Sequence, residues 1–279
     1  MIIANPIYDV VFKRLMENEK VAKFFIGTLL EQTIETVEVK PQEFTYNDNI
    51  IGISLFRLDF IATIKTETGE LKKILIEVQK AKNITDIIRF RSYLGEQYKK
   101  EDVINEVKTV LPITTIYILG FKLPEIETPC LKIERNYKDL INKKILKKRS
   151  DFVEKLTHDS FIVQVDRITG SYQTKLEKLL SVFEQTNFVD DTKVVKEFTH
   201  IADLEGIKLI TDILHYSGTN PEEKKKIEVE QEAWRSIDEL FDSQRNELLK
   251  ELAERQEKIY QKDKEIETLK KLLNQKNKK

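Results

Sequence analysis

With 279 residues, 40% of them apolar, the chain can build a sizeable core in one large domain or two smaller ones. A net charge of −1 excludes a globally basic nucleic-acid binder, so a polyanion would have to meet a local patch; the single cysteine, Cys130, excludes an internal disulfide and a multi-cysteine zinc site. The sequence has neither an apolar run long enough to cross a bilayer nor a basic-then-apolar leader, so a cytoplasmic protein without a membrane partner is expected.

Asn5-Pro6 reads as an N-cap followed by the first helical position. The stripe Ile7, Val10, Val11, Leu15, Val21, Phe24 and Phe25 continues that helix. Asp9 and Lys13, four apart on it, form either an ordinary surface ion pair or part of a site shared with acids further along. Residues 34 to 47 read as extended, with Pro41 before Phe44 and Tyr46.

Arg57 to Lys80, RLDFIATIKTETGELKKILIEVQK, has the form of a β-hairpin: two alternating apolar runs around the polar turn Thr66 to Glu70. Each run carries one acid, Asp59 and Glu77, set among aliphatic neighbours. A turn centred on Thr68 places the two carboxylates opposite each other. Gln79 then shares their face, and Lys80 points the other way. Facing like charges destabilise a ladder unless a cation lies between them, and hard carboxylate oxygens suit Mg²⁺. The competing reading is a pair of solvated acids on an open hairpin face.

Asn83 or Thr85 caps a second expected helix through Tyr98, which bears Arg89, Arg91 and Tyr93, groups suited to phosphates and bases. Leu111 to Phe121 reads as a buried strand and Ser160 to Arg167 as another. Residues 136 to 150 read as a helix carrying Lys143, Lys144, Lys147, Lys148 and Arg149, either a solvated face or a phosphate-binding patch. Strands and helices thus interleave through about residue 170, which points to an α/β mixed sheet.

Beyond it the pattern is helical, over 172 to 186 and 191 to 216, with Gly218 as a break. Asn220-Pro221-Glu222-Glu223 starts a long charged helix. Its seam of Leu248, Leu252, Ile259, Ile266, Leu269 and Leu273 is interrupted by Arg255 and Lys262, a weak coiled-coil pattern and a possible homodimer contact. His158, His200 and His215 lack metal-ligand spacing and read as structural or surface groups. No phosphate loop, dinucleotide fingerprint or serine elbow occurs.

Taken in order, YDVVFKRLM from Tyr8, RLDF around Asp59, IEVQ ending at Gln79 and the arginine–tyrosine helix resemble the PD-(D/E)xK nuclease superfamily. Within it they are most similar to the recombination-promoting nuclease, or transposase-like, family, over roughly residues 5 to 170. The resemblance implies a restriction-endonuclease-like fold and a Mg²⁺- or Mn²⁺-dependent DNA endonuclease linked to recombination, mobile elements or phage defence. It implies that Asp59, Glu77 and the Val78 carbonyl ligate the metal. Asp59, Glu77, Gln79 and Asp9 would be catalytic, with Lys13, Lys80, Arg89, Arg91 and Tyr93 on DNA. Gln79 stands where the superfamily has lysine; it can orient a water but brings no positive charge, which suggests low activity. The alternative is a non-catalytic DNA-binding or regulatory protein that retains the fold. The expected layout is a nuclease-like core over 1–170, a helical region over 171–218 and a long charged helix, a possible coiled coil, over 219–279.

Overall fold

A computed structural model describes residues 1–48, 53–80, 84–170, 172–200 and 202–276; within these, side chains at 41–48, 53–59, 84–86, 89, 237, 238, 240, 241, 244, 267–269 and 271–276 lie outside the description. In chain order the elements are β1 (Ile2–Ala4), α1 (Asp9–Glu17), α2 (Glu19–Leu30), β2 (Ile34–Asp48), β3 (Ile53–Thr66), β4 (Leu71–Gln79), α3 (Ile84–Lys99), β5 (Asp102–Ile104), β6 (Val107–Thr109) and β7 (Ile113–Leu119). There follow β8 (Cys130–Ile133), β9 (Tyr137–Lys138), β10 (Ile145–Leu146), α4 (Asp151–Leu156), β11 (His158–Gln164), a 3₁₀ turn (Val165–Arg167), α5 (Lys175–Ser181), β12 (Val195–Glu197), α6 (Glu205–Thr219) and α7 (Pro221–Lys276).

The chain divides into two units, Met1–Glu228 and Val229–Lys279. The first is built on a six-stranded sheet in the order β2-β3-β4-β7-β11-β8. The β2-β3-β4 meander and the β11-β8 pair are antiparallel, whereas β4-β7 and β7-β11 are parallel, so this is the mixed α/β sheet expected from the interleaved pattern. Pro41 lies on β2, an edge strand, the place in a sheet where proline is tolerated. The β3-β4 hairpin keeps one register from Phe60–Ile76 to Lys65–Leu71, as a turn centred on Thr68 requires. Gly69, at φ 82°, supplies the left-handed turn residue.

The sheet has an apolar layer on each face. Phe60, Ile64, Ile74, Ile76, Val78, Ile116 and Ile118 belong to the main core, which includes residues of α1, α2, α5 and α6. The alternate positions Ile61, Leu75 and Ile113 join Phe90 and Tyr93 of α3 in a second, smaller cluster. Period-two alternation therefore puts Glu77 and Gln79 on the face covered by α3.

Several expected elements are corrected. The first helix begins at Asp9, not Pro6, because Asn5 is recruited elsewhere: its Nδ2 donates to Gln185 Oε1 (2.9 Å) and to the Lys193 carbonyl (3.1 Å). That helix is also split at Asn18, whose side chain caps α2 by accepting from Val21 N at 3.2 Å. Residues 136 to 150 are not a helix. Asp139 folds them back by accepting from Ile141 N (2.8 Å) and Asn142 N (3.1 Å), and β9 and β10 pair across the turn. The 172 to 186 helix shortens to α5, opened by a Thr174–Glu177 capping box. In the 191 to 216 region, β12 pairs with β1 and, among the described residues, only those of α6 are helical.

Gly218 is not a break but lies inside α6, where the helix touches β1: a Cβ there would lie 2.7 Å from Ala4 N. Asn220 caps α7 as expected, accepting from Glu222 N (3.0 Å) and Glu223 N (3.1 Å). No helix among the described residues is long and apolar enough to cross a membrane.

Candidate functional site

Strand β4 lies inside the sheet between β3 and β7, and from Lys73 to Gln79 its side chains are buried on both faces. In that setting Glu77 is 1% exposed and Gln79 8% exposed. The β3-β4 ladder is paired up to Phe60–Ile76, one step short of Asp59 and Glu77, and the same register continued would set those two residues opposite each other. Asp59 lies next to Gln42 of β2 in the other direction, and its side chain lies outside the described residues.

On the β7 side Glu77 pairs with Tyr117 and Gln79 with Leu119. Burial pushes the Tyr117 phenol up to about 12, and the neighbouring Glu77 carboxylate pushes in the same direction. At neutral pH Tyr117 is thus a protonated hydroxyl beside a buried carboxylate. Sequence reasoning misses this residue; the available signal is the one phenol in an otherwise aliphatic β-branched run. Gly120 closes the end of the site. Its N–H donates to the Gln79 carbonyl at 2.8 Å, and a Cβ would lie 3.1 Å from the Lys80 backbone, so the chain after β7 and the end of β4 approach each other closely there.

The expected nucleic-acid residues lie on different elements, β4, α1 and α3. Lys80 places its ammonium over the Tyr8 ring, 3.9 Å from the centroid, beside the start of α1. Asp9 is 6% exposed at the first turn of that helix and Lys13 is half-buried one turn on. Arg91 is exposed on α3, and the side chain of Arg89 lies outside the described residues. Tyr93 is a correction: it is 5% exposed, packed with Phe90 and Leu75 in the cluster under α3, because its position on the helix faces the sheet and not solvent. It cannot stack on a base without leaving that cluster.

A hard divalent cation fits the donor chemistry present, the Glu77 carboxylate with the adjacent Val78 carbonyl, since Mg²⁺ takes oxygen ligands and is often held by one or two carboxylates plus water and phosphate. Among the described residues no group of three or more histidine, cysteine, aspartate or glutamate side chains converges on one point. The histidines serve structure, as expected: His158 Nδ1 meets Tyr98 OH at 2.8 Å, His200 Nε2 meets Glu184 Oε2 at 2.9 Å, and His215 Nδ1 meets the Ile2 carbonyl at 2.6 Å. Cys130 is half-buried and free, its thiol pushed up to about 11 by burial, which leaves it unreactive at neutral pH.

No family model, curated protein or solved structure matches this chain.

Proposed function

We propose that the chain is a metal-dependent DNA endonuclease with a restriction-endonuclease-like core. The observation that carries this reading is Glu77: an acid 1% exposed on an inner strand, with Gln79 next on its face and Asp59 in the position that faces it when the β3-β4 register continues one pair beyond Phe60–Ile76. Ionisable side chains buried this deeply concentrate at functional sites, and we read Glu77 as a ligand or a base on that ground. Glu77, the Val78 carbonyl and Asp59 would hold Mg²⁺ or Mn²⁺. When bound, such an ion lowers the pKa of a coordinated water and stabilises charge on a scissile phosphate. Gln79 orients a water through its amide, and Tyr117, protonated at working pH, offers a neutral donor beside the acid. Arg91 lies exposed on the helix above. The exposed seam of α7 supplies a homodimer contact, which would bring two sites to one duplex.

A second reading, a non-catalytic DNA-binding or regulatory protein on the same fold, is favoured by one observation. Gln79 brings no cation, and the Lys80 ammonium is engaged over Tyr8. Incubation of supercoiled plasmid with Mg²⁺ or Mn²⁺ separates the two. The nuclease reading expects nicked or linear product that is lost in EDTA and in Glu77→Gln and Asp59→Asn. Gln79→Ala should slow cleavage about 10–100-fold, as for residues that orient a metal's ligands, and Lys80→Ala should slow it less. A folded wild-type chain that binds the plasmid and leaves it intact with both ions supports the second reading.

A further inference from the structure

The segment between β8 and α4 is an arm built on the sheet. Asp139, its one acid from Lys138 to Arg149, is consumed in shaping the turn: besides accepting from two backbone N–H groups it accepts from Asn142 Nδ2 at 2.7 Å, while its own N–H donates to the Lys144 carbonyl at 2.8 Å. The root is clamped by Arg135, which donates to Asp159 of β11 (2.8 Å) and to Glu154 (2.7 Å), and by Tyr137, whose hydroxyl donates to Glu154 at 2.6 Å. The arm is therefore positioned by the same sheet that carries Glu77. The clamp at Asp159 is level with Ile74 through Thr114, about three residues or on the order of 10 Å from Glu77 along the strands.

Two features of the arm occur together. Lysines elsewhere are commonly paired, as in Lys23–Glu19, Lys65–Glu35 and Lys73–Asp102. Among the described residues Lys138, Lys143, Lys144, Lys147 and Lys148 take part in no ion pair and all are exposed. The tip is apolar and open, with Leu140 72% and Ile141 90% exposed.

We propose that this hairpin is a second DNA contact, an arm that sets its lysines on the phosphates of a duplex and its Leu140–Ile141 tip in the minor groove. The inference rests on DNA as the partner. Unpaired lysines release condensed counterions from a duplex, and small apolar wedges between base steps are a recurrent minor-groove device. An anionic bilayer is the other polyanionic surface, but it calls for an apolar face separated from a cationic one. Here Lys138 is paired directly with Ile145, so the two kinds of side chain share a face.

The test uses the full-length chain in EDTA, where binding is read without cleavage. Fluorescence anisotropy with a 20-base-pair A·T-rich duplex is recorded across a salt series for wild type and for the combined Lys143→Ala, Lys144→Ala, Lys147→Ala and Lys148→Ala variant. The variant should lose at least about tenfold in affinity, and its log–log salt slope should fall by about 3–4. Ile141→Ser should weaken binding at an unchanged slope and reduce duplex bending measured by end-to-end energy transfer. Circular dichroism confirms that the exposed substitutions leave the fold intact. Unchanged affinity and slope in the lysine variant overturn the arm, as does a wild type that binds neither probe, or that binds phosphatidylserine vesicles and not the duplex. Arm-dependent duplex binding by a chain that leaves Mg²⁺-treated plasmid intact refutes the nuclease and keeps the arm. Plasmid cleavage with arm-independent binding does the reverse.

Discussion

Glu77 and Lys196 are ionisable groups held in the interior of one unit. If Glu77 ligates a cation as proposed, binding adds stability to the folded state alone. Millimolar Mg²⁺ or Mn²⁺ should therefore raise the melting temperature by mass action, and Glu77→Gln should abolish the rise in differential scanning calorimetry. A wild type indifferent to both ions would mean that substrate phosphate must complete the site. Lys196 is 2% exposed, its ammonium donating to the Glu184 carbonyl, and burial pushes it down from 10.5 to about 7 against the opposing pull of the Glu184 carboxylate. A depressed lysine makes the unfolded chain bind more protons than the folded one between those two values, so its penalty is full below about 7 and fades as pH rises toward 10.5. Lys196→Met should raise the melting temperature at pH 7, and the gain should shrink steadily as pH approaches 10.5. A gain independent of pH would assign the effect to packing alone.

Two helices show how the same substitution changes sign with its surroundings. Gly95 lies inside α3, and a Cβ there would have nothing within 4 Å, so Gly95→Ala only removes unfolded-chain entropy and should stabilise by about 0.5–1 kcal/mol. Gly218 lies inside α6 where an added Cβ meets β1 backbone at 2.7 Å, so Gly218→Ala should destabilise by about 1–3 kcal/mol. Urea unfolding of both variants measures the pair, and equal signs would contradict the close approach of α6 to β1. The β3-β4 hairpin is the contrasting case, an element whose turn, alternation and register agree, so that it folds in the pairing its own residues specify.

At the scale of the molecule the boundary of the first unit falls inside α7. Ile227 is 1% exposed in the main core and Glu223 is ion-paired with Arg14, so the first turns of that 56-residue helix belong to the sheet-bearing unit. In the second unit Leu248, Leu252, Ile259 and Ile266 are exposed, while the side chains of Leu269 and Leu273 lie outside the description. A seam of that kind is stabilised by a second helix, and two-fold association is the commonest source. Arg255, 3.7 Å from Glu251, and Lys262 would face their own copies in a parallel pair, which favours an antiparallel one. Light scattering at tens of micromolar should show a dimer for the full chain and a monomer for a chain ending at Glu228. A full chain that is already monomeric sinks the expectation, and a truncated chain that remains dimeric moves the interface onto the first unit.

What the residues determined alone were features whose cause is local. The hairpin register followed from alternation around Thr66 to Glu70, β7 from its β-branched run, and the start of α7 from Asn220-Pro221. What only the tertiary structure decided depends on partners distant in the chain. Asn5 abandons its cap for Gln185 and Lys193, β12 is extended because β1 lies beside it, and Tyr93 is drawn from the surface into the cluster under α3. The segment from 136 to 150 has a helix-compatible pattern, yet Asp139 accepts from its backbone N–H groups in a turn. Periodicity records which side of an element is apolar; it does not record which surface covers it. The burial of Glu77 between β3, β7 and α3 is therefore a property of the assembled sheet, and it is that burial which turns a common acid into a candidate ligand.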